Sequence, residues 1–219
     1  MYNPLYISNS NFLKIYLAMN TTVDHGLFLA LNFDGGAFMD WLMLTFSGKL
    51  TWVPLYLLFM WLIYRKAGWR NMLLFLVLAA LSIVFTDMVA GAFKHTGLLK
   101  NILPDLGVRL RPMYTPELEG MVHVVKLGGK YGSISAHAAT TCTVALLASL
   151  ILQRRWIWCI SAFWVVAVCY SRVYLAYHFP LDILYGVLLG LCFGAISYLI
   201  YASTAHRLMP RGEVEDKQQ

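Results

Sequence analysis

The sequence predicts an all-α integral membrane protein, a bundle of five to six transmembrane helices. Three observations carry that expectation. Hydrophobic residues make up 59% of the 219 positions. Charged residues make up 13%, against about 25% in soluble domains. The mean hydropathy is +0.63, and the charges gather at the ends of apolar segments and in one central loop. The formal net charge of +6 therefore points to membranes and anionic lipids. No basic run suggests nucleic acid.

The elements follow in order. MYNPLYISNSNF lacks a basic stretch followed by an apolar core, so no cleavable signal peptide is expected. FLKIYLAM and GLFLALNF are apolar but short, and residues 1–37 read as an interfacial N-terminal region. A single transmembrane domain is expected over 38–205. Its first span runs from about Trp41 to Tyr64, interrupted by Lys49. The second runs from Asn71 to Phe93 and carries Asp87. The third, fourth and fifth cover Ala138 to Gln153, Trp156 to Ser171 and Ile183 to Ala205. Each suits a bilayer core once tilt and flanking residues are allowed for. Residues 206–219 are polar and read as a cytoplasmic tail. Cys142, Cys159, Cys169 and Cys192 lie inside apolar stretches without metal-ligand spacing and read as small apolar side chains.

Basic clusters set the orientation. Arg65, Lys66 and Arg70 separate the first two spans, Arg154 and Arg155 the next pair, and Arg207 and Arg211 follow the last. Alternation puts all three on one side, the cytoplasmic one. The loop from Lys94 to His137 and the turn around His178 then share the outer face. That loop is itself rich in cations, including Lys94, Lys100, Arg109 and Arg111. They are either incidental charges on a solvated loop or a site for an anion.

The chemistry is densest in SRVYLAYHFPLD, residues 171–182. Pro180 suits the first turn of a helix, where its missing N–H is not needed. His178 then stands at the helix mouth with Asp182 four residues on. The carboxylate can orient one imidazole nitrogen and leave the other free as base or nucleophile. Arg172 adds a fork of donors suited to phosphate oxygens. In SISAH, Ser135 is a natural helix N-cap and His137 enters the same outer surface. RLRP, residues 109–112, brings two more guanidinium groups. Two histidines, a carboxylate and several arginines at one membrane face suit phosphoryl transfer.

These motifs resemble the type 2 phosphatidic acid phosphatase family of membrane lipid phosphatases, over about residues 85–205. The family motif S-R-x5-H-x3-D is matched by Ser171, Arg172, His178 and Asp182. The motif P-S-G-H is matched at Ser135 and His137, with Ile134 and Ala136 in place of Pro and Gly. The motif K-x6-R-P is matched at Arg111 and Pro112, while its lysine position holds Pro104. Lys94 is the favoured substitute and Lys100 the other candidate, which implies an insertion before RLRP. The resemblance implies that His178 is the nucleophile forming a phosphohistidine, with Asp182 as its partner. It implies that His137 protonates the leaving group and that Lys94, Arg111, Ser135 and Arg172 hold the phosphate. It implies no metal and no cofactor.

The resemblance places the active site at the outer leaflet of a bacterial cytoplasmic (inner) membrane, facing the periplasm or exterior. Candidate substrates there are undecaprenyl diphosphate, phosphatidylglycerol phosphate, phosphatidic acid and lipid A. RLRP with GGKYGSISAH is similar to phosphatases of Bacteroides-type bacteria, some of which act on lipid A. Lipid A or a polyprenyl diphosphate is therefore the favoured partner. Soluble vanadium haloperoxidases share this site logic, and the apolar spans argue against them. A noncatalytic lipid-phosphate binder or transporter is the rival of a different class. The joint presence of His137, His178 and Asp182 argues against it.

Overall fold

Glycine, proline and serine cut the chain into helices. The structure, a computed structural model, describes residues 22–94 and 109–208. The start of the N-terminal region, Lys100 and the tail beyond 208 lie outside the described residues. Helix α1 (Thr22–Leu31) is bent by 116° against α2 (Gly36–Ser47). The turn between them uses Asp34, whose Oδ1 accepts the Gly36 N–H at 2.9 Å, and Gly36 itself at φ +76°. After Gly48, a 3-10 turn over Leu50–Trp52 leads into α3 (Val53–Ala92), with Pro54 in its first turn. Next come a two-residue antiparallel ribbon, β1 (Arg109–Leu110) with β2 (Tyr131–Gly132), and 3-10 turns at Pro112–Tyr114 and Pro116–Leu118. Helices α4 (Ala136–Leu152), α5 (Arg155–Tyr174) and α6 (Pro180–Leu208) complete the bundle.

Helix α3 is two helices. Gly68 has φ +80° and ψ 175°, which no helix contains. A straight helix of 40 residues would be about 60 Å long. Yet Trp52 and Tyr56 line the same cavity as Val84 and Met88. Phe59 and Ile63 also share a core cluster with Phe75 and Leu78. The two arms, 53–67 and 69–92, therefore run antiparallel. Among the described residues, α3 counted whole is one of three helices long and apolar enough to cross a membrane, and the bent α1–α2 pair counted as one span makes a fourth. The fold-back of α3 supplies the two spans expected on either side of Arg65–Arg70, and the shorter apolar α4 lies where the third is expected.

The first of those spans starts later than the sequence suggests. Trp41–Phe46 belong to α2, and the chain breaks at Gly48, whose backbone is extended. Thr51 Oγ1 bonds the Thr45 carbonyl at 2.6 Å across the break and satisfies a group the lost helix would have used.

Helix α4 is buried along nearly its whole length, and α6 packs closely against it. The contact is made by Gly186, Gly190 and Gly194, spaced four apart on one face of α6. A Cβ on Gly186 would stand 2.6 Å from the Ser135 carbonyl, and those on Gly190 and Gly194 would press on Ala139 and Thr143. Small residues let helix backbones meet where lipid offers no hydrophobic drive. Thr143 Oγ1 uses the proximity to bond the Gly190 carbonyl at 3.2 Å. Trp164, Phe59, Phe75 and Leu147 fill the core, while Phe163, Val166, Leu188 and Leu199 face outward as a lipid-facing surface would. At the opposite end from His178, Lys66 Nζ donates to the Ile151 carbonyl at 2.7 Å and caps α4.

Candidate active site

The close approach of α4 and α6 joins the two histidine motifs. The Ser135 N–H donates to the Asp182 carbonyl at 3.0 Å. Ser135 Oγ accepts from the Ala138 N–H at 3.4 Å and caps α4, as the sequence predicts. That hydroxyl is fully buried and lines neither of the cavities described below.

The turn carrying His178 is built from the end of α5. The Arg172 carbonyl accepts from the N–H groups of Tyr177 and His178 at 3.0 and 3.3 Å, with Ala176 left-handed between them at φ +56°. Pro180 then opens α6. Asp182 Oδ2 accepts the Phe179 N–H at 3.1 Å and stands 3.5 Å from His178 Nδ1. His178 and Asp182 are each 3% exposed. Burial lowers the imidazole pKa below its ordinary value, Asp182 pulls it back up, and Arg172 and Arg111 push it down again. The lowered result favours the neutral ring.

Arg111 and Arg172 converge on Tyr177, their guanidinium carbons 5.4 and 4.3 Å from its ring centre. Arg172 donates to Ser47 Oγ, and Arg111 Nε to the Tyr131 carbonyl at 3.3 Å. Among the described residues neither has an ion-pair partner. With Ser47, Lys126, Gly128 and Tyr177 they line a basic hollow of about 350 Å³. Any side chain on Gly128 would collide with Arg111 and with Tyr177, its Cε1 atom only 2.7 Å away. Two guanidinium groups without carboxylates can accept an anion between them.

A second hollow, of about 420 Å³, shares the Ser47–Gly48 wall. Its polar lining includes His137, Lys49 and Asp87, and its apolar lining Trp52, Val84 and Trp164. The charges of Arg172, Lys49 and Lys94 all reach His137. His178 lines neither hollow, but its neighbours Arg172 and Tyr177 line the basic one.

His137, Arg172, His178 and Asp182 thus lie at one end of α4, α5 and α6 with Arg111 beside them, while Ser135 caps α4 there and Lys94 lines neither hollow. Ser47 and Lys49 are absent from the sequence-derived set although both line the hollows. Their signal was a polar trio, Ser47-Gly48-Lys49, inside an apolar run. Arg109, a loop cation that the sequence leaves open as incidental charge or part of an anion site, bonds two carboxylates. Its Nη1 donates to Asp182 Oδ1 at 3.0 Å and its Nη2 to Asp24 Oδ2.

The family model described as PAP2 superfamily matches residues 89–204. A lipid A 4'-phosphatase of Bacteroides thetaiotaomicron is 31% identical over 193 residues, 86% of this chain and 80% of that protein. A lipid A 4'-phosphatase of Porphyromonas gingivalis is 30% identical over 182 residues, 82% of this chain and 73% of that protein. The crystal structure of a transmembrane PAP2 type phosphatidylglycerolphosphate phosphatase from Bacillus subtilis has the same fold. The match has a TM-score of 0.60 at 17% identity, over 96% of this chain and 100% of that one.

Proposed function

The chain belongs to the PAP2 superfamily, and on that premise we propose that it removes phosphate from lipid A through a phosphohistidine. It is a multi-span membrane phosphatase. The observation that carries the reading is the pair of unpaired guanidinium groups, Arg111 and Arg172, beside a buried neutral His178.

The phosphate enters the basic hollow and takes up the donors of Arg111 and Arg172, with Lys94 adding charge. Nδ1 of His178 faces Asp182, so Nε2 is the attacking atom. It bonds to phosphorus as the phosphorus–oxygen bond to the lipid breaks, and His137 gives the departing oxygen a proton. Water then attacks the phosphohistidine, returns a proton to His137 and releases inorganic phosphate. The charges of Arg172, Lys49 and Lys94 reach His137, and the bound phosphate offsets them. The Ser135 hydroxyl holds α4 in place while its first turn faces the site.

The similarity to lipid A 4'-phosphatases over more than four-fifths of the chain favours lipid A over the other envelope lipids. The site opens at the periplasmic face of the inner membrane in this reading. Residues 38–205 form the phosphatase domain, with the tail on the cytoplasmic side. Cysteines placed near residues 68 and 154 then label only from the cytoplasm, and one near 120 only from outside.

Phosphate release from purified protein in detergent tests the activity. The panel is lipid A, undecaprenyl diphosphate, phosphatidylglycerol phosphate and phosphatidic acid. The highest kcat/KM is expected with lipid A. Preference for another of the four refutes the substrate, and release from none of them favours a binder.

A further inference from the structure

Asp182 has two oxygens, and the structure accounts for both. Oδ2 takes the Phe179 N–H and faces the imidazole of His178, while Oδ1 takes Arg109 Nη1 at 3.0 Å. The other arm of the same guanidinium is held by Asp24, on α1. Asp24 is 2% exposed, and its second oxygen accepts the Leu181 N–H at 2.9 Å, in the first turn of α6. Arg109 also lies 4.2 Å from the ring centre of Phe179, on which His25 of α1 stacks at 4.7 Å. One helix from the far end of the sequence is thereby tied to both the carboxylate and the backbone that carry the nucleophile.

We propose that Arg109 and Asp24 are positioning residues for His178, acting through Asp182. Arg109 fixes the carboxylate so that Oδ2 faces Nδ1, and Asp24 draws part of its charge away from Asp182. The inference rests on His178 being the nucleophile. A buried carboxylate held by two donors, Arg109 Nη1 on Oδ1 and the Phe179 N–H on Oδ2, cannot rotate away from its histidine. The charge balance matters as much as the geometry. One guanidinium divided between two carboxylates leaves Asp182 more negative towards the imidazole than an exclusive pair would.

That division gives the two residues opposite electrostatic roles. Arg109→Met removes the cation, so Asp182 stabilises an imidazolium more strongly. Asp24→Asn leaves Arg109 wholly to Asp182, so the imidazolium is stabilised less. The other titratable or charged groups around His178 are Arg111, His137, Arg172, Tyr177 and His25; neither variant replaces any of them, and His25 alone among them also feels the charges of Arg109, Asp24 and Glu117 directly. The amide of Asp24→Asn still accepts the Leu181 N–H, so this variant keeps the backbone tie.

The experiment is single-turnover phosphoenzyme formation by the full chain in detergent micelles, with lipid A carrying ³²P at the 4' position, from pH 4 to 9. The acid limb is expected to move up by about one pH unit in Arg109→Met and down in Asp24→Asn. Arg109→Lys keeps the charge but not the fork, and should slow the step about tenfold with the limb close to wild type. KM should hold within about twofold in all three, because the phosphate contacts are untouched. Limbs that both move the same way, or neither of which moves, overturn the proposal. His178→Ala is the control for the underlying reading. If it still forms the adduct, the histidine mechanism fails; if it forms none while the limbs stay put, only the roles of Arg109 and Asp24 fail.

Discussion

Replacing Arg111 by Met should weaken catalysis without weakening the fold. Arg111 and Arg172 both approach Tyr177, so their guanidinium carbons can be no farther apart than 5.4 Å and 4.3 Å laid end to end, about 9.7 Å. At that separation two like charges repel by about 1.7 kcal/mol for an effective dielectric near 20, and by about 0.4 kcal/mol in water. Each arginine gains about 0.5–1 kcal/mol from the ring face. Arg111 also gives one hydrogen bond to the Tyr131 carbonyl, worth about 1 kcal/mol net. The losses and the relief nearly cancel, so the midpoint of thermal unfolding in detergent should stay within about 4 °C of wild type. A bound phosphate reverses the balance, since it turns two repelling cations into two charge-assisted contacts. Loss of one such contact should lower kcat/KM about tenfold to a hundredfold. It should also shrink the rise in unfolding temperature that inorganic phosphate gives the wild type. The assay pairs thermal unfolding, with and without phosphate, with phosphate release. A variant that unfolds more than about 8 °C lower yet keeps its response to phosphate refutes the reasoning, because Arg111 would then be a structural group.

Gly190→Val puts a branched side chain against the Ala139 carbonyl and should push α6 from α4, losing about 2 kcal/mol or more of stability; thermal unfolding measures it, and an unchanged midpoint refutes the close-approach argument. Lys94→Ala and Lys49→Ala should each lower kcat/KM by about tenfold, and Lys100→Ala by less, as phosphate-release kinetics would report; a larger loss from Lys100→Ala would transfer the first-motif role to it. Because burial lowers the His178 pKa, kcat/KM should stay flat as pH falls through 6.5, the ordinary imidazole value, and drop only below it. The protonated ring is the form that burial penalises, so the His178 contribution to stability is full above pH 6.5 and is lost as pH falls from there towards the folded value. A pH–rate profile already falling at 7 contradicts this.

Local chemistry was legible in the sequence. His178, Pro180 and Asp182 lie within one turn, and a proline at a helix start fixes how an i, i+4 pair meets. Ser135 as a cap needed only its neighbours. The apolar segments were legible because lipid demands long runs, and the basic clusters marked the reversal now seen at Gly68. Contacts made across the bundle were not legible. Arg109 and Asp24 are 85 positions apart, and no local rule pairs them. Lys49 sits in a run whose average hydropathy hides the break at Gly48. That break depends on side-chain bonds from Thr51 and Trp52 back to the end of α2. The lysine of the first motif has no local signature, because Pro104 holds its place and the candidates Lys94 and Lys100 both lie upstream of it.

The hollow beside His137 carries a consequence for kinetics. Its wall includes Val84 and Met88, which are 54% and 63% exposed on the bundle's flank, so it opens sideways where acyl chains lie. With His137 as the acid, as proposed above, a lipid substrate reaches it without leaving its leaflet. The encounter is then two-dimensional, and the concentration the enzyme senses is the substrate's mole fraction in the surface. Adding detergent at constant total substrate dilutes that surface and should slow turnover, while enlarging the assay volume at a fixed ratio of lipid to detergent should not.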